Sequence, residues 1–187
     1  SSVSNAGQTR ALDVNAEPGT FFHAFYPAPT FTLWTWIVWL ELLHKALAQA
    51  MPERMAASSG GDVPGFMMIG THPDTGALFA VSNNDPVGWG AAPGHDGSNA
   101  LIHLSESIVR NTPTEVLETR TTMLMERIAL RRDSGGPGKF RGGLSQVLEL
   151  EIRTREPISF AGIYERLNNP APGMNGCLPG ATGRVTC

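Results

Sequence analysis

Two short stretches concentrate the residue types that hold or move charge. The first runs Asp133-Ser134-Gly135-Gly136-Pro137-Gly138-Lys139-Phe140-Arg141, between Arg131-Arg132 and Gly142-Gly143. Successive backbone N–H groups in such glycine turns form concavities for anions, and nearby guanidinium groups strengthen them. Asp133, Ser134, Gly135, Gly136, Gly138 and Arg141 are therefore the candidate substrate- or anion-binding residues. The competing interpretation is a tight helix-to-strand connection with solvated charges. The second stretch, Gly94-His95-Asp96-Gly97, puts an imidazole beside a carboxylate on flexible backbone. Such a pair serves as a general base or as metal ligands. A third ligand would have to come from His72, Asp74 or His103, so no metal site is assigned. His95 and Asp96 stand as candidate catalytic residues against the alternative of loop-stabilising hydrogen bonds.

Two familiar patterns are excluded on their residues. A phosphate-cradling P-loop needs a glycine five positions before its Gly-Lys pair and Ser or Thr after it. Asp133 and Phe140 occupy those positions. Asp133-Ser134-Gly135-Gly136-Pro137 also matches the nucleophile loop of trypsin-like proteases, but Arg132 replaces the usual preceding glycine. None of the five histidines sits in the context such a triad requires.

The elements that position these loops are legible in outline. Glu17-Pro18-Gly19 signals a turn, and aromatic Phe21–Tyr26 reads as a strand or extended entry. From Phe31 the longest apolar segment carries three tryptophans and one early charge, Glu41, with Thr30 or Thr32 as N-cap and Pro52 as stop. The tryptophans cannot share one narrow stripe, so a helix buried on several sides is expected rather than a membrane span, which needs about 20 apolar residues. Phe66–Thr71 and Ala77–Ser82 read as a hairpin around His72-Pro73-Asp74-Thr75-Gly76. The Gly-rich loop from Asn83 to Ala100 is too long for a simple connector. Leu101–Ser105 reads as extended, and Asn111–Leu130 as mainly helical, capped by Thr112 or Thr114 with Glu115 and Glu118 in its first turn. Beyond the glycine turn, apolar and polar residues alternate from Val147 to Ile163, implying two strands around Glu156-Pro157. The tail is Pro/Gly-rich and irregular, suited to being covered by a ligand or partner. The fold class expected is α+β: a buried Trp-rich helix with a mixed or antiparallel sheet and Gly-rich loops.

Composition narrows the function classes. At 187 residues and a net charge of −3, the chain can bury a core and lacks the Lys/Arg excess that non-specific nucleic-acid binding requires. Cys177 and Cys187 make no disulfide framework, which suits a reducing cytoplasm. Glycine (21) and proline (14) are spread along the chain, implying many turns. The opening SSVSNAGQTR has no initiator Met and no secretory pattern, and reads as the interior of a longer polypeptide.

Four blocks occur in order: GWGAAPGHDGSNA, VRNTPTEVLETR, LRRDSGGPGKFRGGL and YERLNNPAPGMNGCLPGATG. Together they resemble the hydantoinase B/oxoprolinase family, the B-type subunits of N-methylhydantoinases, 5-oxoprolinases and the related acetone and acetophenone carboxylases. The resemblance covers nearly the whole chain. It departs in the Trp-rich LWTWIVWL run and at Arg132, where proline often precedes Asp-Ser-Gly. It implies the C-terminal portion of a larger subunit, with residues 1–55 an entry and helix, 56–144 a loop-rich core and 145–187 a β-rich end. It also implies ATP and Mg2+ in an A-type partner subunit, a divalent metal in the absent N-terminal half, and a small-molecule substrate. Glu115 joins His95 and Asp96 as a catalytic candidate through this resemblance. The expected activity is an ATP-dependent cyclic-amide hydrolase or ketone carboxylase, without nucleic acid or membrane. The alternative is a non-catalytic assembly module of such a complex.

Overall fold

The structure is a computed structural model and describes residues 7, 10, 12–28, 34–61, 64–102 and 110–186. Thr30, Thr32, His103 with the rest of the stretch to Ser105, and Cys187 lie outside the described residues. The chain divides into two compact units, Ser1–Trp36 and Ile37–Cys187, each described by itself.

In the first unit Phe21–Tyr26, expected as a strand or extended entry, forms no strand and begins and ends in turns. The local backbone closes on itself: His23 N–H donates to the Thr20 carbonyl at 3.0 Å, and Gly19 N–H donates to the His23 carbonyl at 2.9 Å. Gly19 makes this possible at φ 83°, a conformation other residues resist.

The unit boundary falls inside helix α1, Trp34–Leu47. The helix ends in turns from Ala48, before Pro52. Ile37 is fully buried, and Leu40, Glu41 and His44 follow it on the same side at helical spacing. Trp36, Leu42 and Leu43 remain exposed, so the helix is not enclosed on several sides as its composition suggested.

The remaining elements are strands β1 (Gly65–Thr71) and β2 (Leu78–Asn84), helix α2 (Thr114–Arg120), and strands β3 (Met123–Leu130), β4 (Gln146–Ile152) and β5 (Ser159–Ile163). The predicted hairpin is present: His72 N–H donates to the Ala77 carbonyl at 2.8 Å, and β1 pairs antiparallel with β2. Two sheets result, one ordered β2-β1-β5 and one a β3-β4 hairpin. All pairings are antiparallel, in an α+β arrangement.

The expected long helix over Asn111–Leu130 is instead a seven-residue helix followed by a strand. Thr121 explains the break. Its backbone N–H and hydroxyl both turn back to the Leu117 carbonyl, at 3.0 and 2.7 Å, and its own backbone is already extended. β-Branched Thr121 and Thr122 then lead into β3. No threonine side chain caps α2; Pro113 holds the N-cap position. Glu118 accepts the Met125 N–H at 3.0 Å beside a bulge in β3 between Met125 and Arg127, tying helix to strand. The glycine turn consequently joins two strands of one hairpin rather than a helix and a strand.

Side chains alternate across a strand. Phe66 and Met68 of β1 and Phe79 of β2 thus share an inner face, which packs with Leu117 and Met123 as the core. Burying side chains of this size contributes about 1.5–3 kcal/mol each. The opposite face carries Met67, Ile69 and Leu78, all well exposed.

Candidate functional site

The two glycine-rich loops come together. Gly97 N–H donates to the Arg141 carbonyl at 2.8 Å, Gly143 N–H to the Trp89 carbonyl at 2.7 Å, and Ala100 N–H to the Leu144 carbonyl at 2.8 Å. Glycine is required for this approach: a Cβ on Gly143 would overlap the Ser98 carbonyl and lie 2.8 Å from the Trp89 nitrogen. Side chains lock the seam. Asp96 accepts the Arg141 N–H at 2.8 Å, and Asn99 accepts the Leu144 N–H at 2.8 Å.

The sequence-predicted residues occupy this seam unevenly. His95 is exposed, with Nδ1 3.1 Å from the Asp96 carbonyl oxygen. Asp96 and Arg141 form a loose, exposed ion pair at 3.9 Å. The Arg141 guanidinium also donates to the Gly142 carbonyl at 2.6 Å. Asp133 is exposed at φ 57°. Ser134 is buried, its hydroxyl donating to the Arg131 carbonyl at 2.7 Å and accepting the Ser145 N–H at 2.9 Å. Gly142 N–H donates to the Gly136 carbonyl at 2.9 Å, closing the turn across Gly138. Glu115 stands exposed on α2, and no described hydrogen bond or ion pair joins it to His95 or Asp96. The N–H groups of Gly97, Ala100, Gly142 and Gly143 are thus engaged by backbone carbonyls, and those of Arg141 and Leu144 by side-chain oxygens. Among the described residues no group of three His, Cys, Asp or Glu side chains could hold a metal ion. No described helix is long and apolar enough to cross a membrane.

The tail is stitched to the same hairpin turn. Leu178 N–H donates to the Pro137 carbonyl at 3.1 Å, Ala181 N–H to the Ser134 carbonyl at 3.0 Å, and Arg131 to the Thr182 carbonyl at 2.6 Å. Seam, tail and the inner face of the three-stranded sheet together bound a cleft of about 1360 Å3. Its apolar walls include Phe66, Met68 and Phe160, with the Phe66 and Phe160 rings stacked at 5.7 Å.

One end of this cleft carries a polar cluster absent from the sequence-predicted residues. Phe66 lies in register between Asn83 on β2 and Gly162 on β5. Continuing the two-residue alternation places Asp85 and Tyr164 on the same inner face, one row further along. Asp85 is fixed by its N–H, which donates to the Pro64 carbonyl at 2.6 Å. Asn83 donates to Asp85 Oδ1 at 2.8 Å, and the Tyr164 hydroxyl lies 3.5 Å from Oδ2. Gly162 clears room for that tyrosine, since a Cβ there would come 2.6 Å from Tyr164 Cε2.

Burial pushes the Asp85 carboxyl up to about 6, against the lowering effect of the Asn83 and Tyr164 hydrogen bonds. Burial, then the neighbouring Asp85 charge, pushes Tyr164 up to about 12. No described cation is paired with Asp85, and a carboxylate so placed favours whatever can donate to it. The next residues, Glu165 and Arg166, also line the cleft. Arg166 pairs with Glu41 of α1, whose other oxygen accepts the Ser59 hydroxyl at 2.9 Å. Glu41, the first charge along the apolar helix, thereby ties α1 to the segment just beyond β5 that carries Tyr164.

A family model for hydantoinase B/oxoprolinase matches residues 2–187. A 5-oxoprolinase of Pestalotiopsis fici is 35% identical over 136 residues, covering 70% of this chain and 10% of that protein. The caprolactamase subunit beta of Pseudomonas jessenii is 32% identical over 186 residues, covering 92% of this chain and 30% of the relative. The nucleotide-free structure of acetone carboxylase superposes with a TM-score of 0.55 at 19% identity, over 67% of this chain and 17% of that one, a likeness of fold. The chain therefore spans a tenth of the first relative and under a third of the second.

Proposed function

This chain belongs to the hydantoinase B/oxoprolinase family, and from that premise we propose that it forms part of a B-type subunit of an ATP-dependent enzyme acting on cyclic amides or ketones. Support for the two substrate classes comes from relatives named for 5-oxoproline and caprolactam and from the fold likeness to acetone carboxylase. The observation that carries the reading on this chain is the cleft: apolar walls with Asp85 and Tyr164 among the lining residues suit a small ring with a hydrogen-bonding edge. In this reading ATP and Mg2+ belong to an A-type partner subunit, and the assembly is cytoplasmic and hetero-oligomeric. This chain excludes water from the substrate and holds it. His95, Asp96 and Glu115 enter as catalytic residues, and Asp133, Ser134, Gly135, Gly136, Gly138 and Arg141 as substrate-holding residues. Of these, Asp96 and Arg141 also hold the two loops closed beside the cleft.

The test is ATP hydrolysis by the complete complex with 5-oxoproline, hydantoin, caprolactam or acetone added singly. Substrate-stimulated turnover with one of them is expected; none with any would sink the reading.

A second reading has its own observation. The outer face of the β2-β1-β5 sheet presents Met67, Ile69 and Leu78 to solvent without a charged residue in its strands, which suits an assembly surface. Under that reading Ile69→Lys or Leu78→Lys dissociates the complex. Under the enzymatic one, the complex persists with either substitution.

A further inference from the structure

We infer that residues 177–183 form a detachable strap, which closes one side of the cleft and lifts away as a unit while both sheets stay folded. This goes beyond the reading above and holds whichever ligand the cleft takes.

How the tail is held sets it apart from the rest of the second unit. From Pro170 to Thr186 no residue is buried. Leu178 and Val185 are 62% and 47% exposed, so the tail adds little to the apolar core. A row of hydrogen bonds holds it instead. Leu178 N–H donates to the Pro137 carbonyl, Ala181 N–H to the Ser134 carbonyl, and Gly183 N–H to the Arg166 carbonyl at 2.9 Å. The Arg131 guanidinium is the charged member of the row, donating to the Thr182 carbonyl. The seat beneath is flat. A Cβ on Gly136 would stand 2.5 Å from the Leu178 carbonyl oxygen, and one on Gly138 would stand 2.6 Å from Cys177 Sγ. Backbone laid on backbone separates without the repacking that interlocked side chains demand. Segments with few buried apolar contacts open at far lower cost than core strands. Asn175 and Gly176, at φ 53° and 81°, form the turn about which the strap swings. Leu178, Gly180 and Ala181 line the cleft with Arg131 and Ser134, so lifting the strap opens that side.

The test follows amide exchange along the full chain by NMR. The N–H groups of Leu178, Ala181 and Gly183 are expected to exchange together, at least a hundredfold faster than those of the central strand β1. Arg131→Met keeps the stem and removes the guanidinium. It is expected to speed all three strap amides about tenfold, the worth of one charge-assisted bond, and to leave β1 unchanged. Gly138→Cys in a Cys187→Ser background perturbs in the opposite direction. A Cβ at position 138 lies 3.0 Å from Cys177 Cβ, close to the roughly 3.5–4.5 Å that a disulfide spans. Oxidising that pair is expected to slow strap exchange at least tenfold, and reduction to restore it. The inference is overturned if strap and β1 amides exchange at one rate, or if Arg131→Met speeds both alike. It is equally overturned if the three strap amides respond separately, or if the oxidised pair leaves their exchange unchanged. A pair that fails to oxidise contradicts the seating of Cys177 over Gly138 on which the strap rests.

Discussion

The seam between the glycine loops and the polar end of the three-stranded sheet border the same cleft, yet they use their polar atoms in opposite ways. In the seam, N–H groups of Gly97, Ala100, Arg141, Gly142, Gly143 and Leu144 all meet protein acceptors. The charged side chains there are exposed and clip one loop to the other. At the sheet end Asp85 has two neighbours, no described cation, and a carboxyl pushed up to about 6 by burial. Density of glycine and charge therefore marks close backbone approach here, while the sheet end leaves acceptor capacity on a half-buried carboxylate.

Adding a methyl group to the seam is the harshest way to break this contrast. Gly143→Ala sets a Cβ against the Ser98 carbonyl, with backbone on both sides and no flexible side chain to yield. We expect a loss above about 4 kcal/mol, the range reserved for severe steric or burial defects. Urea unfolding of the variant measures it; a near-native midpoint means the loops are not packed as described.

A substitution at the sheet end should act with the opposite sign. The folded-state pKa of Asp85 lies above its ordinary 3.8, so the folded chain holds more protons than the unfolded chain between pH ~4 and ~6. Stability falls as pH rises through that window, and the cost is complete above it. Asp85→Asn removes this cost. It should stabilise the protein at pH 7.5 by on the order of 2–3 kcal/mol, at about 1.4 kcal/mol per pKa unit, and add almost nothing at pH 4. Thermal melts at the two pH values test this. Equal shifts at both would mean that the carboxyl is not destabilised by burial.

The smallest effects belong to the exposed clip. Asp96→Ala loses one charge-assisted bond to the Arg141 N–H and should cost about 1–2 kcal/mol. Arg141→Ala loses an exposed pair and should cost under about 1 kcal/mol. Unfolding midpoints check both. An Arg141→Ala variant that keeps its midpoint and its complex but loses all turnover would turn the clip into chemistry and erase the contrast.

How far the sequence reached depended on whether its signal was local. The His72–Gly76 turn and the alternation from Val147 to Ile163 were readable because turn residues and a two-residue period act within a few positions. Partners were not: β4 and β5 adjoin in sequence but pair with β3 and β1. The run after Arg120 carried helix-compatible residues, and only the burial of Thr121 and Thr122 and the pairing with β4 turned it into strand. Asp85 was overlooked because Asn-Asn-Asp-Pro reads as a turn. Extending the alternation Phe79, Val81, Asn83 by one more step would have put it on the buried face. Asp96 and Arg141 stood out in two separate stretches of sequence, and the fold joins those stretches. That their N–H groups would satisfy one another required knowing the register between segments over 40 positions apart.

The tail's attachment to the hairpin turn has a bearing on biosynthesis. Residues 178–182 supply one wall of the groove by hydrogen bonding back to residues 131–137. Translation delivers the sheet and its polar end first, and the wall only after some 15 further residues have left the ribosome, about 1–3 seconds at ordinary elongation rates. Until then the nascent polypeptide exposes an open-sided apolar trough, a target for chaperones rather than for a metabolite.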